Sequence, residues 1–86
     1  MIEERIIELE KKCKIELLKL RFCSELSDYD KIPLRIIRAE ILALQDFFEH
    51  GDLPTHIEIC VDFEQHCGAE GIKNAKEWLS SKKLVV

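Results

Sequence analysis

The sequence predicts an all-α domain, a small helical bundle with one long N-terminal helix followed by three shorter helices. Apolar side chains recur at intervals of three and four residues along most of the chain, which is the periodicity of amphipathic helices. The few glycines and prolines stand between these periodic segments. With 86 residues, the chain has the length of one small domain, which buries only about 60% of its unfolded surface. We therefore expect residues 1–86 to form a single helical domain.

The first predicted helix covers residues 2–26, which contain no Gly or Pro. At 1.5 Å per residue such a helix is about 38 Å long, whereas a compact chain of this size has a radius of gyration of about 12 Å. The apolar stripe is narrow in the first half and is joined by a second row from Ile15 onward. The second row consists of Ile15, Leu18, Phe22 and Leu26. We expect the C-terminal half to be buried from two sides and the N-terminal half to project beyond the globule.

A projecting amphipathic helix needs a partner for its apolar stripe. In the first half of the helix that stripe is formed by Ile2, Ile6 and Leu9, at the spacing of a coiled-coil seam. Self-pairing through these three residues is the simplest solution. The sequence therefore predicts a homodimer or a subunit of a larger complex.

The second predicted helix covers residues 33–50. It follows the turn-forming segment 27–33, whose final Pro33 favours a helix start, and Gly51 suits the left-handed residue just past a helix end. Two apolar stripes run side by side along it, which indicates a central helix. They comprise Leu34, Ile37, Ile41, Leu44 and Phe48 in one row and Ile36, Ala39, Ala43 and Phe47 in the other.

The third predicted helix covers residues 55–67, although residues 56–64 also alternate like a strand. Thr55 followed by Glu58 has the spacing of a capping box, and Gly68 stands where a helix terminator is expected. A strand would need a second strand beside it, and only the last few residues of the chain offer one. We therefore favour the helix.

The fourth predicted helix covers residues 71–82. It places Ile72, Ala75, Trp78 and Leu79 on one face, with Lys82 near its C-terminal end, where the helix dipole favours a positive charge.

Charge is unevenly distributed along the chain. The formal net charge is −4, yet residues 39–72 hold eight acidic residues and no Lys or Arg. Such a region is a poor direct ligand for nucleic acid, whose binding depends on Lys and Arg neutralising phosphates. We expect its carboxylates to face a basic surface of a protein partner. The residues assigned to this acidic surface are Glu49, Asp52, Glu58 and Asp62.

A metal site or an active site finds little support in the residue spacings. His56 and Cys60 lie one helical turn apart, but Cys67 is about 10 Å further along a helix, too far to share a tetrahedral zinc ion. Cys13 and Cys23 are separated by about 15 Å along their own helix. The sequence has no glycine-rich phosphate loop, nucleophile elbow or His-Glu-x-x-His motif. We predict a non-enzymatic protein without a cofactor or metal, whose cysteines are buried thiols.

The predicted function is protein binding, as an accessory or adaptor subunit that presents an acidic helical surface. Two alternatives remain open, an acidic nucleic-acid mimic that inhibits a nucleic-acid-binding protein and a small metal- or redox-responsive regulator. The charged, periodic first twelve residues do not resemble a signal peptide, and no apolar run approaches the roughly 18 residues of a membrane span. We therefore expect a cytoplasmic protein that does not contact a membrane.

Overall fold

The described residues of the chain fold mainly into α-helices. The computed structural model describes residues 1–21, 28–55 and 65–83. Within these residues every regular element is helical, so the predicted all-α class is confirmed. The elements are α1 (Ile2–Arg21), a 3₁₀ turn (Asp28–Lys31), α2 (Ile32–His50) and α3 (Gln65–Ser81).

Helix α2 is the central element and lies within one residue of its predicted bounds. It packs against both α1 and α3. Pro33 occupies the first turn, and Gly51 ends the helix with φ +82°, its N–H donating to the carbonyl of Phe47 at 2.8 Å. Its buried residues are Leu34, Ala39, Glu40, Ala43 and Leu44. Phe48, predicted on the apolar stripe, is instead 57% exposed at the end of the helix.

The prediction of four helices is wrong for the described residues, which form three. Helix α3 starts at Gln65 and continues through Gly68 and Gly71, so Gly68 does not end a helix. A glycine inside a helix costs about 1 kcal/mol relative to alanine, and tertiary packing offsets such a cost. The segment 56–64, which holds most of the predicted third helix and the competing strand, lies outside the described residues, as do positions 22–26 of the predicted first helix.

The two halves of α1 reverse their predicted environments. Leu9 is 2% exposed, and Ile2 and Ile6 pack against the same core, which includes Ala43 and Leu44 of α2. The N-terminal half therefore does not project. Because α2 and α3 already cover its apolar stripe, pairing this stripe with a second chain would remove little further apolar area from water.

The described members of the second row of α1 face solvent. Ile15 and Leu18 are 53% and 49% exposed, whereas the prediction placed them in a doubly covered interior. At 100° per residue these two side chains point about 120° and 180° away from Leu9 around the helix. Helix α1 packs mainly on α2 alone, so only one side of it is buried.

Helices α2 and α3 approach each other closely at two small residues. A Cβ atom added to Gly71 would clash with the Ala39 side chain and lie 2.7 Å from the Ala39 carbonyl carbon and from the Glu40 nitrogen. Ala39, Ala43 and Ala75 are all at most 1% exposed at this contact side of the core. Position 71 thus requires glycine for the close contact of the two helices, since its backbone lies directly on that of α2.

A buried charge at the centre of α2 should prevent folding. Leu44 is 0% exposed, and Leu44→Asp is expected to remove the cooperative unfolding transition because a core without a partner for the carboxylate cannot accommodate it. Leu42→Asp is the matched control, two residues away and 50% exposed; it should retain a wild-type circular-dichroism spectrum. Equal thermal stability of both variants and the wild type would contradict a central α2.

Gly71→Ala should destabilise the protein although alanine is the better helix former. Overpacking typically costs about 1–3 kcal/mol, more than the gain of about 1 kcal/mol in helix propensity. Urea unfolding should show this loss. Adding Ala39→Gly should restore only part of it, because the new Cβ still meets the α2 backbone. A Gly71→Ala variant more stable than wild type would exclude the close approach.

Candidate functional site

A charged cluster lies where α1, α2 and α3 meet. The Arg5 guanidinium donates through Nη2 to Glu40 Oε2 at 3.1 Å and through Nη1 to Glu8 Oε1 at 3.0 Å. The Glu40 side chain is only 5% exposed and that of Arg5 16%. Lys12 lies 3.8 Å from the same Glu8 oxygen. The cluster therefore links a buried carboxylate to the solvent through one arginine.

Burial raises the pKa of Glu40 above its ordinary value, because removal from water disfavours the charged carboxylate. The nearby positive charges of Arg5 and Lys12 and the Arg5 hydrogen bond act in the opposite direction but do not cancel this effect. The Arg5–Glu40 pair is thus a costly feature of the interior. Replacing both residues of the pair by apolar ones would remove this cost, whereas replacing Glu40 alone would leave the charge of Arg5 without its partner on α2.

Arg5 also contacts α3. Its guanidinium carbon lies 5.9 Å from the centre of the Trp78 ring, within the range of a cation–π interaction. Arg5 Nε is buried and has no hydrogen-bond partner among the described residues. Arg5 therefore holds three helices together while one of its donors stays unsatisfied.

A groove of about 520 Å³ opens beside this cluster between α1, α2 and α3. Leu9, Ile36 and Ile37 supply apolar lining, while Lys12 and Glu77 bring opposite charges. Such a groove can accommodate an amphipathic side chain or a small polar molecule. Among the described residues, the lining has no cysteine, serine or histidine, whose thiol, hydroxyl and imidazole groups commonly act in nucleophilic catalysis.

The sequence did not single out this cluster, although a signal was present. Glu40 lies one turn from both Ile36 and Ala43, beside Ala39 of the second stripe of α2. Arg5 similarly lies one turn from both Ile2 and Leu9 on the core side of α1. Two opposite charges on the apolar sides of two helices predict a buried ion pair.

The predicted partner-binding residues fall into three groups. Ile2, Ile6 and Leu9 contribute to the core of their own chain. Glu49 and Asp52 are exposed at the C-terminal end of α2. The remaining two, Glu58 and Asp62, lie outside the described residues, so the acidic surface is represented here by its first two members.

A second candidate surface, which we call the outer face of α1, was not predicted. It comprises Ile7, Lys11, Lys14, Ile15 and Leu18, all exposed. Ile7 and Leu18 lie eleven residues apart, about three helical turns, and therefore share one side of the helix. Leu17, 41% exposed, lies beside this face. Exposed apolar side chains grouped on one helix are typical of interaction surfaces.

The two described cysteines lie in different environments. Cys67 is buried in α3, whereas Cys13 is half-buried on α1. Burial raises the pKa of the Cys13 thiol, an effect that Arg38 opposes and Glu10 reinforces, and a raised pKa lowers the fraction of reactive thiolate at neutral pH. His56 and Cys60 lie outside the described residues; within those residues no cluster of His, Cys, Asp and Glu has the geometry for a metal ion.

Comparisons with protein-family models, with curated proteins and with solved structures find no match to this chain. Among the described residues, no helix has both the length and the apolar character needed to span a membrane. The chemistry and geometry of the surfaces above are therefore the basis for a functional proposal.

Glu40→Gln should become more stable relative to wild type as the pH rises. The raised pKa gives wild type a stabilising contribution that is present below the ordinary glutamate value of about 4.3 and is lost as pH rises through the folded-state pKa. Glutamine does not titrate, so the difference in unfolding free energy (variant minus wild type) should increase from about pH 4 to about pH 7.

Urea unfolding at several pH values measures this difference. Glu10→Gln, which removes an exposed carboxylate of the same helix bundle, is the control to subtract. A difference that stays level or falls with pH would show that burial does not dominate the environment of Glu40.

Proposed function

We propose that this protein is a non-enzymatic interaction module that binds a protein partner through its helical surface. The observation that carries the proposal is the outer face of α1, where Ile7 and Ile15 are 52% and 53% exposed and Leu18 is 49% exposed. Monomeric proteins rarely group large apolar side chains in this way. Covering these three residues with a partner would remove apolar area from water and stabilise a complex.

The lysines of the outer face add specificity. Lys11 and Lys14 lie on the same side of α1 as Ile7 and Leu18, at sequence positions between them, and both are exposed. Charges around an apolar contact set its register and exclude wrong partners more than they add affinity. The face is therefore selective for the charge pattern of the helix that lies against it.

The acidic end of α2 supports a second contact. Glu49 lies in the last turn of α2, 68% exposed, with His50 Nε2 at 3.8 Å from its carboxylate, and Asp52 follows just beyond the helix end. A carboxylate at a helix C-terminus opposes the helix dipole and costs about 0.3–1 kcal/mol. Because Glu49 does not favour the helix, we propose that Glu49 and Asp52 belong to a surface that meets a basic partner, as in an accessory or adaptor subunit of a cytoplasmic complex.

The two alternative functions depend on residues outside the described ranges. A nucleic-acid mimic would use Glu58 and Asp62 together with Glu49 and Asp52, and a metal-responsive regulator would use His56 and Cys60. No described contact favours either, and we propose the interaction module.

Affinity capture with matched variants tests this proposal. Tagged wild-type protein, Ile15→Glu with Leu18→Glu, and Glu49→Lys with Asp52→Lys should be expressed in the native cell and the bound proteins quantified by mass spectrometry. We expect the amount of each specific partner captured by the α1 variant, including any second copy, to fall at least about tenfold. Burying a large apolar side chain contributes about 1.5–3 kcal/mol, and the variant loses two such side chains. The α2 variant should weaken partners that carry a basic surface.

Leu42→Glu is the control, since Leu42 is as exposed as Leu18 but lies on α2. Circular dichroism should show that every variant remains helical. Association, with itself or with other proteins, that is identical in wild type and the α1 variant would contradict the proposed function.

A further inference from the structure

The outer face of α1 points away from the rest of the bundle. Ile7 and Leu9 are two residues apart, which places their side chains about 200° apart around the helix; Leu9 is buried and Ile7 is 52% exposed. Because α1 packs mainly against α2, a second helix can lie along the outer face without displacing α2 or α3.

We propose that the outer face of α1 binds the same face of a second copy of this chain, with the two α1 helices antiparallel. The pairing rests on the proposed function, because it identifies the partner of the same surface. It differs from the dimer predicted through Ile2, Ile6 and Leu9, which lie on the buried side of the helix.

The exposed charges of α1 favour an antiparallel second copy. The exposed carboxylates of α1 lie at positions 3–10, and its exposed cationic side chains lie at positions 11–21. The former are Glu3, Glu4, Glu8 and Glu10; the latter are Lys11, Lys12, Lys14, Lys19 and Arg21. Two parallel helices would place like charges side by side, whereas antiparallel helices bring the acidic end of each beside the basic end of the other.

The spacing of the outer residues matches such a pairing. Positions 4, 7, 11, 14, 18 and 21 follow alternating steps of three and four residues, the spacing of a coiled-coil seam. They are also symmetric about the midpoint between Lys12 and Cys13. In an antiparallel pair Ile7 therefore meets Leu18 of the other copy, and Glu4 meets Arg21 of the other copy. Each contact occurs twice, as a two-fold axis requires.

The centre of the seam sets the affinity and the register. Lys11 meets Lys14 of the other copy there, and like charges weaken the association. Their long side chains can cover the apolar residues while the ammonium groups reach water. This pairing predicts a reversible dimer that a charge change at position 14 strengthens.

Sedimentation equilibrium over a concentration series tests the pairing directly. The wild-type chain should shift from 10.1 kDa to about twice this mass as its concentration rises. Leu18→Glu should raise the dimer dissociation constant at least about tenfold, because each dimer loses two buried leucine side chains. Leu42→Glu, the equally exposed control on α2, should leave the dissociation constant unchanged.

Charge exchange tests the antiparallel orientation. Glu4→Arg and Arg21→Glu should each raise the dissociation constant about three- to tenfold, and the double variant should return it to the wild-type value because the pair is restored with its signs exchanged. Lys14→Glu should lower the dissociation constant severalfold, since Lys11 then meets a carboxylate. A parallel pair would place position 14 opposite itself and gain nothing from this change.

Three results would overturn the pairing: a wild-type monomer at millimolar concentration, a dimer insensitive to Leu18→Glu, or charge exchange without recovery. A monomeric wild type whose outer face is still needed to capture other proteins would refute the pairing and leave the interaction module intact. A wild-type chain that does not self-associate, and whose capture of other proteins does not depend on this face, would refute both the pairing and the interaction module.

Discussion

The close approach of α2 and α3 at Ala39 and Gly71 is the constraint on which the rest of the structure depends. No side chain separates the two backbones there, so α3 lies directly on α2. This contact buries Ala43, Ala75 and Leu79 completely and provides the surface against which Leu9 of α1 packs. A small domain has little apolar area to spare, and backbone-to-backbone packing uses that area efficiently.

The position of α1 follows from this arrangement. Its N-terminal half contacts the core formed by α2 and α3, and Arg5 joins Glu40 of α2 to Trp78 of α3. A buried ion pair is weak evidence of stability, because the desolvation of both charges opposes their attraction. The pair orients α1, since the hydrogen bond from Arg5 to Glu40 requires one register of α1 on α2. That register directs Ile7, Ile15 and Leu18 to solvent, where a partner can reach them.

The bounds of α2 were predicted well because they depend on single residues at each end of the helix. Pro33 and Gly51 fixed α2 to within one residue because a proline starts a helix and a left-handed glycine ends it. Gly68 was wrongly predicted to end a helix, since it lies inside α3. The two halves of α1 were reversed because periodicity shows which residues share a face but not which face another helix covers. The Arg5–Glu40 pair was missed for the same reason, although both residues lie beside apolar stripes. The acidic surface can be followed only to Asp52 in the described residues.

Solution NMR of the α2–α3 contact tests the central claim most directly. A nuclear Overhauser effect should connect the α protons of Gly71 to the methyl group of Ala39, since the two backbones touch there. The methyl groups of Leu79 should likewise show contacts within the core shared with Leu9 and Leu44. Absence of the Gly71–Ala39 contact in a folded, helical protein would contradict the packing from which the positions of α1 and its outer face are derived.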